Sequence, residues 1–321
     1  MNITVIGCGR WGSLITWYLD HIGHRVTLYG RAASPRMQAF LTTRQNDLLT
    51  LSESVALSTA LDAALESAET VIISIGSQSL RSLLGQPELQ ALRNRTVVLC
   101  MKGLEMGTGA RLSQIAAELL HPSNTVAVWL GPGHVQEFYR GIPNCMVIDS
   151  SREDVKRLLV RSFSSDLIRF YYGEDLIGNE VGAAAKNVVG IAAGFLDGFE
   201  MSSLKGALMS RGTREVARLI KAMGGSELSA YGLCHLGDYE ATVFSPYSHN
   251  RQFGESFVRG QDYHQLAEGY YTVKALMLLG QRYGVELPIC KAVHDILYEQ
   301  AVPRDVLDGL LRRGLTEEFY D

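Results

Sequence analysis

Cysteine is scarce in this chain, and what there is does not cluster. The five cysteines (Cys8, Cys100, Cys145, Cys234 and Cys290) lie far apart and form no C-x-x-C pair. This argues against a disulfide framework or a zinc knuckle and is compatible with a reducing cytosol. A membrane-spanning stretch is missing too. The longest small and apolar run, "GNEVGAAAKNVVGIAAG" at 178–194, is short between its polar ends and is broken by a lysine. There is no basic block or stripe: net charge is −4, with acids and bases intermixed, so nucleic acid is not an expected partner. The opening "MNITVIGCGRWG" has neither a basic n-region nor a long apolar stretch, so no signal peptide is expected and the location expected is cytoplasmic. His134, His235 and His249 lack the close spacing of a metal-binding pair, and no metal is expected. No internal repeat or low-complexity tract is present.

What is present is ordinary globular material. The chain has 321 residues, 46% hydrophobic and 20% charged, enough for two domains with real cores. The first half alternates short β-branched runs ("ITVIG", "RVTLYG", "TVIISI", "TVVLCMKG", "TVAVWLG") with helical patterns such as "RWGSLITWYLDHIG" and "RLSQIAAELL". Near-continuous apolar strands between helices indicate a parallel sheet covered on both faces. "NCMVIDS" and "LIRFYYG" extend that sheet, with antiparallel pairing as one option. From "EDLIGNEVGAAAKN" onward the pattern is helical, with Gly, Ser, Asn and Pro at the turns. The expected architecture is an N-terminal Rossmann-type doubly wound α/β domain over 1–174 and an all-α domain over 175–321. The tail "RRGLTEEFYD" reads as a charged, solvated terminus.

Gly7, Gly9 and Gly12 form G-x-G-x-x-G directly after a strand and at the start of a helix. In that context the first glycine makes a tight turn, the second admits a pyrophosphate close to the backbone, and the third lets helix and strand pack. The end of the second strand reads "LYGR", with no acid to hold a ribose 2′-hydroxyl. Arg31 suits a 2′-phosphate instead, which favours NADPH over NADH; a solvated surface arginine is the alternative. Lys186 sits in the apolar run, and lysines are rarely buried without a task. On a helix its face carries Gly182, Ala183, Val189, Gly190 and Ala193, while Val181, Ala184, Ala185, Val188, Ile191, Ala192 and Phe195 form an ordinary core face. A small-residue face leaves space into which the lysine would project. The alternative is a buried structural lysine.

Along nearly its whole length the chain resembles the bacterial type of NAD(P)-dependent glycerol-3-phosphate dehydrogenase. The matching pieces include "GCGRWG", "IGSQSLR", "KGLE", "GPGHVQE", "EVGAAAKNVVGIAAGFLDG", "LGDYEAT", "SHNRQFG", "AEGYYT" and "YGVELPI". The resemblance implies Lys186 as catalytic acid/base, Asn187 beside the substrate, Lys102 as a second active-site lysine near nicotinamide and substrate, and Asp238 contacting substrate or orienting a lysine. It implies Gly131 and Gly133 in the loop around the substrate. Ser248, His249, Asn250 and Arg251 fall in the segment that grips the substrate phosphate and the cofactor. Cofactor contacts are implied for Arg10, Trp11, Arg31, Val135 and Glu268 as well. The implied partner is a small phosphorylated ketone or alcohol, and a homodimer is possible on the same ground.

Three departures from the family pattern fall where substrate should sit. His249 stands where an arginine is usual, Gly133 where a hydroxyl residue is usual (with Val135 for alanine nearby), and Tyr270 where a smaller apolar residue is common. Losing one charged hydrogen bond to a phosphate costs about 1.5–3 kcal/mol. Three readings stay open: reduction of dihydroxyacetone phosphate, a paralogue acting on another ketone or 2-oxo substrate, and a nucleotide-binding sensor with little turnover.

Overall fold

The computed structural model describes residues 1–312, 317 and 318. The chain forms two compact units, Met1–Met101 with Leu112–Leu176, and Lys102–Arg111 with Ile177 onward. The short segment Lys102–Arg111, which the sequence places in the first domain, packs with the second.

The first unit is built on a single eight-stranded sheet. Its strands are β1 (Asn2–Ile6), β2 (Arg25–Tyr29), β3 (Ala56–Ser58), β4 (Thr70–Ile73), β5 (Thr96–Leu99), β6 (Thr125–Leu130), β7 (Asn144–Ser150) and β8 (Ile168–Tyr172), in the order β3-β2-β1-β4-β5-β6-β7-β8. The neighbours among β1 to β6 are parallel. β7 pairs antiparallel with β6, and β8 parallel with β7, so the two late strands do extend the sheet. Edge strand β3 carries too few residues to show a period and was not legible in the sequence.

The helices of this unit are α1 (Arg10–His21), α2 (Pro35–Thr43), α3 (Leu61–Leu65), α4 (Leu80–Leu84), α5 (Pro87–Gln90), α6 (Leu112–Leu119), α7 (Val135–Tyr139) and α8 (Glu153–Phe163). Strands such as β4, buried at every residue, need that cover because a parallel sheet hides both faces. Trp129 anchors the core, its ring 4.8 Å from Phe170 and 5.7 Å from Phe163. Strand order reverses between β1 and β4, and a crevice opens at the carboxyl ends of strands where that happens. The glycine turn leaves β1 at this point.

The second unit contains α9 (Leu176–Gly198), α10 (Lys205–Ala222), α11 (His249–Val258), α12 (Glu268–Tyr283), α13 (Pro288–Tyr298) and α14 (Pro303–Leu311). Helix α9 is buried from Gly178 to Leu196. Its glycines and β-branched residues are poor helix formers, so tertiary packing sustains it. The face Val181, Ala184, Ala185, Val188, Ile191, Ala192 and Phe195 joins the core with Val216, Leu219, Ile220, Leu276 and Val293, as the spacing indicates.

The opposite face corrects the sequence reading. At its glycines the chain's own segment lies against it, where the sequence reading left room for something else. A Cβ on Gly182 would sit 3.0 Å from His235 Cβ, one on Gly190 2.7 Å from Thr242 Cγ2, and one on Gly194 2.7 Å from the Glu255 nitrogen. The small residues admit a close second layer of protein. Of the C-terminal tail, Arg312, Glu317 and Glu318 are exposed, and the remainder lies outside the described residues. Among the described residues no helix is long and apolar enough to cross a membrane.

Candidate active site

In the first unit the glycine turn has the backbone that dinucleotide binding demands. Gly7 has φ +116°, and a Cβ there would collide with the Ser74 carbonyl. On Gly12 a Cβ would collide with the Gly7 carbonyl oxygen. Gly9 is the N-cap of α1, extended and without a side-chain cap, a helix start of the kind that receives anions. The cradle fits a pyrophosphate. Arg10 and Trp11 open α1, with the Trp11 ring 6.0 Å from Phe138.

Arg31 is exposed just beyond β2. Arg36, in the first turn of α2, has its Nη1 3.8 Å from where a Cβ on Gly9 would lie. An exposed arginine at an ordinary helix start carries no sequence signal, and Arg36 was missed for that reason. Gly131 and Gly133 follow β6 with φ of +127° and +139°. A Cβ on Gly133 would come within 2.7 Å of the Phe138 ring, so the backbone and Phe138 together require glycine there. Val135 is buried at the start of α7.

In the second unit the structure gathers Lys102, Lys186 and Asp238 into one cluster. Asp238, 1% exposed, places Oδ2 2.7 Å from Lys102 Nζ and 3.0 Å from Lys186 Nζ. Lys186 Nζ also donates to Thr242 Oγ1 at 2.7 Å. Burial pushes the Lys186 pKa down to about 8; Asp238 pulls it up, and Lys102 pushes it further down. Two ammonium groups against one carboxylate leave a net positive charge inside the protein. Asp238 Oδ1 is buried with no hydrogen-bond partner among the described residues.

Thr242 belongs to the π-helical turn Glu240–Phe244, a geometry common at functional sites. It was not singled out, since a lone threonine in a loop-like run carries no pattern. Asn187 Nδ2 donates to the Lys102 carbonyl at 2.7 Å, and Asn250 Nδ2 donates to Asn187 Oδ1 at 3.1 Å. Asn250 Oδ1 then accepts the Gly269 N–H at 2.9 Å, next to Glu268 at the start of α12.

The remaining candidates divide. Ser248 caps α11, its hydroxyl accepting the Arg251 N–H at 3.3 Å. His249 opens that helix and its Nδ1 lies 2.7 Å from the Tyr263 hydroxyl. Arg251 turns into the protein, with Nη1 2.8 Å from Asp197 and 2.9 Å from Glu255, and Nε on the Ser245 carbonyl. Its guanidinium is committed to carboxylates. Tyr270 packs on Tyr298 at 4.8 Å and on Phe253 at 5.9 Å, which accounts for a large ring at that position. No group of three or more His, Cys, Asp or Glu able to hold a metal occurs among the described residues.

A nucleotide cradle on a parallel sheet and a buried, depressed-pKa lysine in a helical unit define a nicotinamide-dependent dehydrogenase of two domains. Residues 2–156 match the family model for the NAD-dependent glycerol-3-phosphate dehydrogenase N-terminus, and 175–308 match that for the C-terminus. The chain belongs to the NAD-dependent glycerol-3-phosphate dehydrogenase family. It is 36% identical to the glycerol-3-phosphate dehydrogenase [NAD(P)+] of Thermus thermophilus, over 99% of this chain and 100% of that one. Against the enzyme of the same name from a Thermoanaerobacter species identity is 31%, over 100% of this chain and 99% of the other. The crystal structure of glycerol-3-phosphate dehydrogenase from Coxiella burnetii superposes with a TM-score of 0.89 at 26% identity, covering 97% of this chain and 99% of that chain.

Proposed function

We propose that this protein reduces dihydroxyacetone phosphate to sn-glycerol 3-phosphate reversibly, with Lys186 as general acid/base. The observation that supports this best is Lys186 itself, buried, with its pKa drawn down to about 8 and its Nζ 3.0 Å from the carboxylate that also holds Lys102. Gly7, Gly9, Arg10, Trp11 and Gly12 would hold NAD(P)H, which would supply the hydride when bound. Negative charge then builds on the carbonyl oxygen, and the Lys186 ammonium stabilises it and delivers the proton. In the oxidative direction the Lys186 amine takes the proton back. Lys102 adds positive charge, and Asp238 orients both lysines through Oδ2 while Oδ1 remains to accept from a substrate hydroxyl. Asn187 and Asn250 fix the position of Lys102 through its carbonyl. The substrate phosphate falls to Ser248, His249, Asn250 and the first backbone amides of α11. NADPH is the favoured cofactor on account of Arg31 and Arg36. A cytoplasmic homodimer belongs to the same reading.

A second reading has one specific support. With His249 on Tyr263 and Arg251 on Asp197 and Glu255, no arginine side chain of the segment 248–251 is directed to a phosphate. A ketone with a weaker anionic group would suit such a site. Steady-state NADPH oxidation with dihydroxyacetone phosphate and with dihydroxyacetone separates the two. Strong turnover with the phosphate ester alone supports the first reading, and equal rates overturn it. Lys186→Ala should lower turnover by roughly 10²–10⁴-fold while NADPH still binds.

A further inference from the structure

His235 and Tyr239 form a fully buried polar pair that the proton transfer above does not use. His235 Nδ1 lies 2.9 Å from the Gly182 carbonyl. A carbonyl only accepts, so Nδ1 carries the hydrogen. Burial pushes the imidazole pKa down to about 4, and the ring is neutral. Nε2 is then an acceptor, and it takes the Tyr239 hydroxyl at 2.7 Å. Gly182 stands one helical turn before Lys186 on α9. Tyr239 follows Asp238 directly, and the Asp238 N–H donates to the His235 carbonyl at 3.0 Å. The imidazole thus ties the 3-10 turn Leu236–Asp238 to the lysine helix and also grips the residue that follows it. Gly182 lets it come this close, since a Cβ there would meet His235 Cβ at 3.0 Å.

We infer that His235 is a positioning residue which, through Gly182 and Tyr239, holds the Asp238 carboxylate between Lys102 and Lys186. This rests on the proposed role of Lys186. The groups facing Lys186 are Asp238, Lys102, the Thr242 hydroxyl and the neutral His235 ring; those facing His235 are the Gly182 carbonyl, Tyr239, Lys186 and Asp238. If Asp238 drifts, the one group that raises the Lys186 pKa weakens, while burial and Lys102 continue to lower it. The lysine would then lose its proton at lower pH.

The test compares His235→Ala, His235→Asn and Tyr239→Phe with the wild type, with kcat, KM and the pH profile of reduction as readouts and melting as the control for folding. His235→Ala is expected to lower kcat roughly tenfold with a smaller change in KM, and to move the basic limb to lower pH. His235→Asn, which keeps a donor for Gly182, should recover most of both, and Tyr239→Phe should fall between. If His235→Ala fails to fold, Tyr239→Phe removes only one hydroxyl and carries the same comparison. A wild-type kcat and limb with only a lower melting temperature overturns the inference. Titrating the ¹⁵N resonance of the Lys186 ammonium in the same proteins reads the effect without turnover. A wild type inactive on dihydroxyacetone phosphate would sink the proposed function, yet an unchanged Lys186 midpoint in His235→Ala would independently sink the positioning role.

Discussion

At Gly9 the neighbour that an added side chain would meet is Arg36, with Nη1 3.8 Å from the ideal Cβ position. Arg31 stands exposed a few residues earlier, and the strand end "LYGR" offers no carboxylate to a ribose. Two guanidiniums with no acid suit a 2′-phosphate. Arg31→Ala and Arg36→Ala should each raise the KM for NADPH at least tenfold or so, the equivalent of one charged hydrogen bond of about 1.5–3 kcal/mol. Constants for NADH should barely move. An equal fall with both cofactors would mean that the arginines serve something the two share. Gly133 makes a different point at the same scale. Restoring a serine there supplies a hydroxyl, but at φ +139° and against the Phe138 ring. Backbone strain of this kind costs about 1–3 kcal/mol, so Gly133→Ser should melt earlier and show no gain in KM for a phosphorylated ketone. A lower KM with unchanged melting would refute this.

Helix α9 shows how far a single element can be read from its sequence. Its core face follows from spacing and is where the pattern puts it, and Lys186, singled out by the rarity of buried lysines, is buried. What the small residues are for does not follow, because a glycine face looks the same whether a ligand or another stretch of chain lies on it. Asp238 and Thr242 meet Lys186 across 52 and 56 residues of sequence, a closeness that no local pattern encodes. Glu215 on α10 is a similar case. It is 3% exposed, and its carboxylate accepts the Ile289 N–H at 2.8 Å and the Cys290 N–H at 2.9 Å, capping α13 from another helix. Burial raises its pKa, and the two amides pull it back. Glu215→Ala should lose about 2–4 kcal/mol in urea unfolding, since it strands two buried donors at about 1–3 kcal/mol each. Glu215→Gln keeps an acceptor oxygen and should lose less. Equal losses would show that α13 does not depend on the cap.

Over the whole molecule, alternating strands and helices followed by helices alone were enough to anticipate the architecture, because a covered parallel sheet needs both periods in turn. The excursion of Lys102–Arg111 into the second unit was not anticipated, since one short segment between a strand and a helix carries no mark of which core it joins. That excursion puts Lys102 on Asp238, and with it sets the charge balance that governs the response to pH. With a Lys186 pKa near 8, the proposed acid/base role makes ketone reduction depend on the ammonium, so the rate should fall as pH rises through about 8. Alcohol oxidation needs the amine and should rise over the same range. Stability follows the same group. Between about 8 and the ordinary lysine value of 10.5 the unfolded chain binds a proton at this lysine that the folded chain does not. Unfolding free energy therefore gains a positive slope with pH in that window, and Lys186→Met should remove it. On that proposed role one ammonium sets all three, so the two kinetic limbs and the onset of the stability slope should share one midpoint. Steady-state rates in both directions and urea midpoints across roughly pH 6–11, a span that brackets both ends of the window, would show it when wild type is compared with Lys186→Met. Kinetic limbs centred more than a unit apart would assign the proton to a different group.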